Sequence, residues 1–153
     1  MENSARVGKT KMDIIAMRHA HAVATHPGGD RARPLSERGR DEAARMFALL
    51  RDRGLEPQSA LVSSAQRTRE TAAFGEKTFA GMKVQFVDDL YNASAERITE
   101  VVASADSGRG TVLLIAHNPG ISAYVGGAHI LNPADAVLMF DGQPPVHLQA
   151  ADA

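Results

Sequence analysis

The sequence predicts a three-layer α/β fold, with a mainly parallel central sheet flanked by helices, on three observations. Short apolar runs alternate with stretches of helical periodicity, the pattern of strands joined by crossover helices. One run, Val112-Leu113-Leu114-Ile115, is continuously apolar, as suits a strand buried on both faces of a parallel sheet. The 153 residues suffice for one domain with a proper core and are too few for two comfortable ones.

The strands are expected at residues 12–17, 60–63, 84–87, 111–116 and 136–140. Ser36 is a good N-cap, after which Ala43, Met46, Phe47 and Leu50 recur at helical spacing until Gly54 closes the element. A second helix is expected over residues 66–78, and a third from Ser94, another N-cap, to about residue 105. Residues 1–11 are polar and carry no apolar signal-peptide segment. They read as a flexible extension before a single domain at 12–153.

Composition narrows the function classes. Seventeen Lys and Arg oppose eighteen Asp and Glu, so no net field marks a nucleic-acid or membrane partner. The chain has no cysteine, which removes disulfides, thiolate catalysis and Cys-based zinc sites. No apolar run approaches the roughly 20 residues of a membrane span, and the cytoplasm is the default location.

The loop over residues 20–34 is rich in Gly, Pro and charge, and long loops inside compact domains are often functional. It follows the first strand, and open α/β sheets bind ligands beyond the carboxyl ends of their strands. Three segments should converge there: Arg18-His19-Ala20-His21, Ser63-Ser64-Ala65-Gln66-Arg67 and His117-Asn118-Pro119-Gly120. They offer two arginines and two histidines beside one another. A guanidinium suits bidentate contact with phosphate. An unprotonated imidazole nitrogen can take a phosphoryl group as a phosphoramidate that water later cleaves. Phosphoryl transfer asks mainly for positioning and charge neutralisation, which two arginines and a second imidazole can supply without a metal.

Four blocks carry a resemblance: Met17-Arg18-His19-Ala20, Arg33-Pro34-Leu35-Ser36-Glu37-Arg38-Gly39, Ser63-Ser64-Ala65-Gln66-Arg67-Thr68-Arg69-Glu70-Thr71-Ala72 and Leu114-Ile115-Ala116-His117-Asn118-Pro119-Gly120. In order and spacing they resemble the histidine phosphatase superfamily, whose fold is phosphoglycerate mutase-like. The resemblance implies His19 as phosphorylated nucleophile, Arg18 and Arg67 as phosphate ligands, and His117 as the residue that completes the pocket. It implies no cofactor and no metal. The short length and the Asn-Pro-Gly after His117 look most like the small branch that includes SixA-type phosphohistidine phosphatases. A phosphorylated substrate is then expected, with a phosphohistidine-bearing signalling protein as one candidate partner. The chain lacks length for the insertions with which mutases enclose a phosphoglycerate.

Many ester-cleaving relatives place a Glu after the third strand to protonate the leaving alkoxide. Here the segment reads Asp88-Asp89-Leu90-Tyr91-Asn92-Ala93-Ser94, without a Glu. A protonated phosphoramidate needs less help from a general acid than an ester, so this leans towards N–P cleavage. Asp88 and Asp89 stay as candidates for the acid, and with them a small-molecule phosphomonoesterase. A non-catalytic phosphate-binding module is the third alternative. The signature's third position is Ala20 rather than Gly. Only residues 121–125 precede Gly126-Gly127, so a shortened helix and a wider or altered pocket are expected there.

Other features read blandly. His19-x-His21 lacks further ligands nearby in sequence for a metal site. Gly8-Lys9-Thr10 has Asn3 where a P-loop needs Gly, and no strand before it. His26, His129 and His147 read as surface or loop residues. Arg31, Arg33, Arg38 and Arg40 read as a solvated rim able to attract an acidic phosphoprotein.

Overall fold

The computed structural model describes residues 12–105 and 110–153. The expected extension over residues 1–11, with its Gly8-Lys9-Thr10, lies outside the described residues. Ten regular elements follow in chain order: β1 (Asp13–Arg18), α1 (Glu37–Asp52), β2 (Ser59–Ser63), α2 (Gln66–Thr78), β3 (Lys83–Val87), α3 (Ala95–Ser104), β4 (Thr111–Ala116), α4 (Gly120–Tyr124), β5 (Ala136–Met139) and β6 (Val146–Leu148). Short 3-10 turns lie at Asp30–Ala32, Asp88–Leu90 and Ala150–Asp152.

The six strands form one sheet in the order β3-β2-β4-β1-β5-β6. The first four run parallel, β5 is antiparallel to β1, and β6 is antiparallel to β5. The fold is therefore the mainly parallel α/β sheet expected from the sequence. β6 is an addition: three residues after Pro144-Pro145, too short to leave a periodic signal.

The continuously apolar β4 is explained by the layers on either side. Leu113 and Ile115, with Ile15 and Met17 of β1, pack against Met46, Phe47 and Leu50 of α1. Val112 and Leu114, with Ile14 and Ala16, pack against Ile98 and Val102 of α3 and Ile121 of α4. Successive strand residues point to opposite faces, so a strand covered twice must be apolar at every position. α1 buries Ala43, Met46, Phe47 and Leu50 as a single stripe, and its Ser36 cap accepts from the Gly39 amide. Phe47 is fully buried, so Phe47→Ala would cost about 3–5 kcal/mol and tests that packing directly. Ser94 caps α3 in the same way, through the Arg97 amide at 3.1 Å.

Register decides where the chemistry goes. β1 and β4 pair residue for residue from Asp13↔Thr111 to Arg18↔Ala116. Both strands therefore end level, and the next residues, His19 and His117, emerge side by side. Val62 of β2 pairs with Ile115, which brings Ser63 to the same edge. α4 has five residues, the shortened helix anticipated after Gly120, and the connection over residues 125–135 then leads to β5. No helix among the described residues is long and apolar enough to cross a membrane.

Candidate active site

At the carboxyl edge of β1, β2 and β4 the surface opens into a cleft of about 510 Å³. Arg18, His19, Arg67 and His117 all line it. Three chain segments thus meet where the sequence placed them.

His19 is 8% exposed. Its Nδ1 lies 2.7 Å from the Ala20 carbonyl oxygen. A carbonyl only accepts, so this contact assigns the proton to Nδ1 and leaves the Nε2 lone pair free. Burial pushes the His19 pKa down to about 4; the bond to Ala20 opposes this, and the positive charges of Arg67, Arg18 and Arg33 reinforce it. The ring is neutral at pH 7.

His117 faces it with the ring centroids 5.1 Å apart. Its Nε2 shares a 2.7 Å hydrogen bond with the buried Ser63 hydroxyl. Burial, then His19 and Arg67, lower its pKa to about 3. The Tyr91 ring meets His117 edge-on at 5.6 Å.

Arg18 donates from one terminal nitrogen to the Leu131 carbonyl at 2.9 Å. Arg67, only 3% exposed, reaches Asp30 twice: to its carbonyl oxygen at 2.8 Å and to its carboxylate at 3.1 Å. Four buried side-chain nitrogens among the described residues lack any hydrogen-bond partner. Three of them are Arg18 Nε, Arg67 Nε and His117 Nδ1. An unmet buried donor costs about 1–3 kcal/mol, so such a cluster on three cleft residues is suited to an anion that supplies several acceptors.

The candidate general acids stand elsewhere. Asp88 and Asp89 do not line the cleft; Asp88 is 82% exposed and pairs with Arg31 at 3.1 Å. The acidic side chain that does line it is Asp30, which the sequence reading passed over within the 20–34 loop. A hydrogen bond from the Tyr91 hydroxyl, with Arg67 and Arg33 nearby, draws its pKa down to about 2 against the opposing effect of burial. Tyr91 and Ser63 also belong to the site, although the sequence alone assigns them no role. For Ser63 and Tyr91 the available signal is position, since Ser63 ends β2 and Tyr91 lies four residues after β3 at the same sheet edge; Asp30 has no such local signal.

The arginine cluster is not a uniform solvated rim. Arg33 lines the cleft and ties Asp30 to Val23 through contacts of 3.1 and 2.8 Å. Arg31 lies over the Tyr91 ring at 4.4 Å. Arg38 holds the buried Glu42, whose other oxygen accepts from the His21 amide. Arg40 donates to the Leu35 carbonyl. His21 shares a 2.7 Å hydrogen bond with Ser36, the α1 cap. Among the described residues, no group of three or more His, Cys, Asp or Glu is placed to hold a metal ion. On the side after α4 the wall comes from Pro133 rather than from a helix.

Known proteins share this architecture. The family model of the histidine phosphatase superfamily (branch 1) matches residues 14–101. A structure described as a candidate phosphohistidine phosphatase SixA from Agrobacterium tumefaciens superposes with a TM-score of 0.79 at 25% identity, over 90% of this chain and 95% of that one. Another candidate phosphohistidine phosphatase SixA, from Nakamurella multipartitia, gives 0.64 at 31% identity, over 74% of this chain and 63% of that one. An uncharacterized chloroplastic protein of Arabidopsis thaliana is 30% identical over 118 residues, 70% of this chain and 54% of the relative. The matching region thus spans about half the length of that plant relative.

Proposed function

The chain belongs to the histidine phosphatase superfamily, and from that membership we propose that it is a metal-independent phosphatase that hydrolyses phosphohistidine, or a related phosphoramidate, through a phospho-His19 intermediate. The observation that carries this reading is the hydrogen bond from His19 Nδ1 to the Ala20 carbonyl, which leaves Nε2 free beside three buried nitrogens without partners.

In the first step the Nε2 lone pair forms a bond to phosphorus while the substrate's N–P bond breaks. The electron pair returns to the substrate imidazole, which arrives protonated at its other nitrogen and leaves neutral. Arg18, Arg67 and His117 would hold the three equatorial oxygens as negative charge spreads over them. The Ser63 hydroxyl, donating to His117 Nε2, would keep the His117 proton on Nδ1, where it can reach an oxygen. In the second step water attacks phosphorus and the bond to Nε2 breaks. The His19 ring, still protonated at Nδ1 on the Ala20 carbonyl, departs neutral, and dihydrogen phosphate forms. Neither step draws a proton from a side chain.

The acidic groups of the cleft favour one substrate class. Asp30 is ionised and Asp88 is engaged with Arg31, so among the described residues the cleft offers no carboxylic acid to protonate an alkoxide. A protonated phosphoramidate does not require one. The phosphohistidine phosphatase names of the two structural relatives support the same class. A phosphohistidine-bearing signalling protein is the partner that fits.

The test is phosphate release from a phosphohistidine peptide and from p-nitrophenyl phosphate, both with EDTA present. Faster cleavage of the peptide is expected. Preference for the ester would refute the N–P assignment, and no release from either would leave only a phosphate-binding module.

A further inference from the structure

Arg67 presents a difficulty for its role as phosphate ligand, because two of its three nitrogens already contact Asp30. One terminal nitrogen donates to the Asp30 carbonyl at 2.8 Å, the other to its carboxylate at 3.1 Å, and Nε has no partner. Bidentate contact with an oxyanion uses two neighbouring donors of the fork, here Nε and the terminal nitrogen on the Asp30 carboxylate.

We propose that Asp30 is a positioning residue whose carboxylate occupies the anion seat on Arg67 in the free protein and is exchanged for the phosphoryl group of the substrate. This rests on the reading of Arg67 as a phosphate ligand. The carboxylate is surrounded as a phosphoryl oxygen would be: by Arg67, by Arg33 at 3.1 Å and by the Tyr91 hydroxyl. Without it, a nearly buried guanidinium would stand beside a second arginine with no counter-charge, an expensive arrangement. A phosphoryl group carries more charge and reaches Arg18 and His117 as well, so it outcompetes the carboxylate.

The local structure permits the exchange. Asp30 opens a 3-10 turn that buries no residue, so its movement uncovers no core. Gly29 before it has φ 97° and no heavy atom within 4 Å of where a Cβ would stand, leaving the hinge unobstructed. The base of the loop is fixed by the Ala22↔Leu35 bridge and by the Val23 amide on the Pro34 carbonyl at 3.0 Å. The bond from Arg67 to the Asp30 backbone carbonyl is independent of that side chain, so a substitution at Asp30 alters the charge while leaving this tether available.

Tyrosine emission can read the exchange, since the chain has two tyrosines and no tryptophan. In the Tyr124→Phe background Tyr91 is the sole emitter, and a carboxylate on its hydroxyl quenches it. Titration with inorganic phosphate should raise Tyr91 emission, and Asp30→Asn should remove the response. By calorimetry, Asp30→Asn should bind phosphate about fivefold more tightly, the scale of a half-exposed ion pair. Weaker or unchanged phosphate affinity in Asp30→Asn, or flat emission while calorimetry shows binding, would overturn the exchange and leave the phosphatase reading intact. No phosphate binding to either protein would overturn both.

Discussion

His19 and His117 meet across the cleft with ring centroids 5.1 Å apart and planes tilted by 59°. They come from strands that end level, so the pair is a direct product of the β1–β4 register. Each ring has one nitrogen bound to the protein, His19 through Nδ1 and His117 through Nε2. The remaining nitrogens fit different tasks, attack for His19 and donation for His117.

That difference makes His19 irreplaceable and His117 supportive. His19→Ala should lower turnover by at least about a thousandfold, because the covalent route disappears. Its circular dichroism spectrum should be unchanged. Residual activity within tenfold of wild type would remove His19 from the nucleophile's role.

Ser63 should matter through His117 alone. Ser63→Ala leaves the buried His117 Nε2 without its 2.7 Å partner, at a stability cost of about 1–3 kcal/mol. Turnover should fall about tenfold while KM changes little, as expected for loss of an interaction strengthened in the transition state. Steady-state kinetics and urea unfolding separate the two effects.

The pH dependence has a definite sign. Burial leads the causes that hold the folded-state pKa of His19 at about 4 and of His117 at about 3. Both rings stay neutral from pH 7 down to about 5, so over that range kcat/KM should follow only the protonation of the substrate imidazole, and it should fall below about pH 5 as His19 takes up its proton. The unfolded chain binds that proton near the ordinary 6.5. Stability is therefore complete above pH 6.5 and is lost progressively as pH falls towards 4. Ring-nitrogen NMR would check this, and a His19 titration at 6.5 would contradict the buried, neutral nucleophile.

Gly120 tests how the site is seated. A Cβ there would stand 1.8 Å from the Ala93 carbonyl oxygen, so α4 and the segment carrying Tyr91 approach backbone to backbone. Gly120→Ala should destabilise by about 3 kcal/mol, read as a lower midpoint in urea. A neutral effect would mean that the two segments separate without cost.

The α/β order, five of the six strands and the three longer helices were legible because burial leaves a period in the sequence. Met46, Phe47 and Leu50 announce α1, and the unbroken Val112–Ile115 run announces a strand covered on both faces. β6 was not legible, having three residues and one buried side chain. That Arg18, His19, Arg67 and His117 share one cleft could be expected because each ends or directly follows a strand, or begins a helix, at one sheet edge. Asp30 was hidden because its place depends on how a long loop folds back over α2. That contact with Arg67 spans 37 residues and has no local pattern.

The most direct test of the account is to trap the intermediate. Wild-type protein quenched within its first turnover on a phosphohistidine peptide, digested and analysed by mass spectrometry should carry one acid-labile, alkali-stable phosphoryl group on His19. Phosphate release at the full rate with no phosphorylated enzyme, or with the label on another residue, would contradict it.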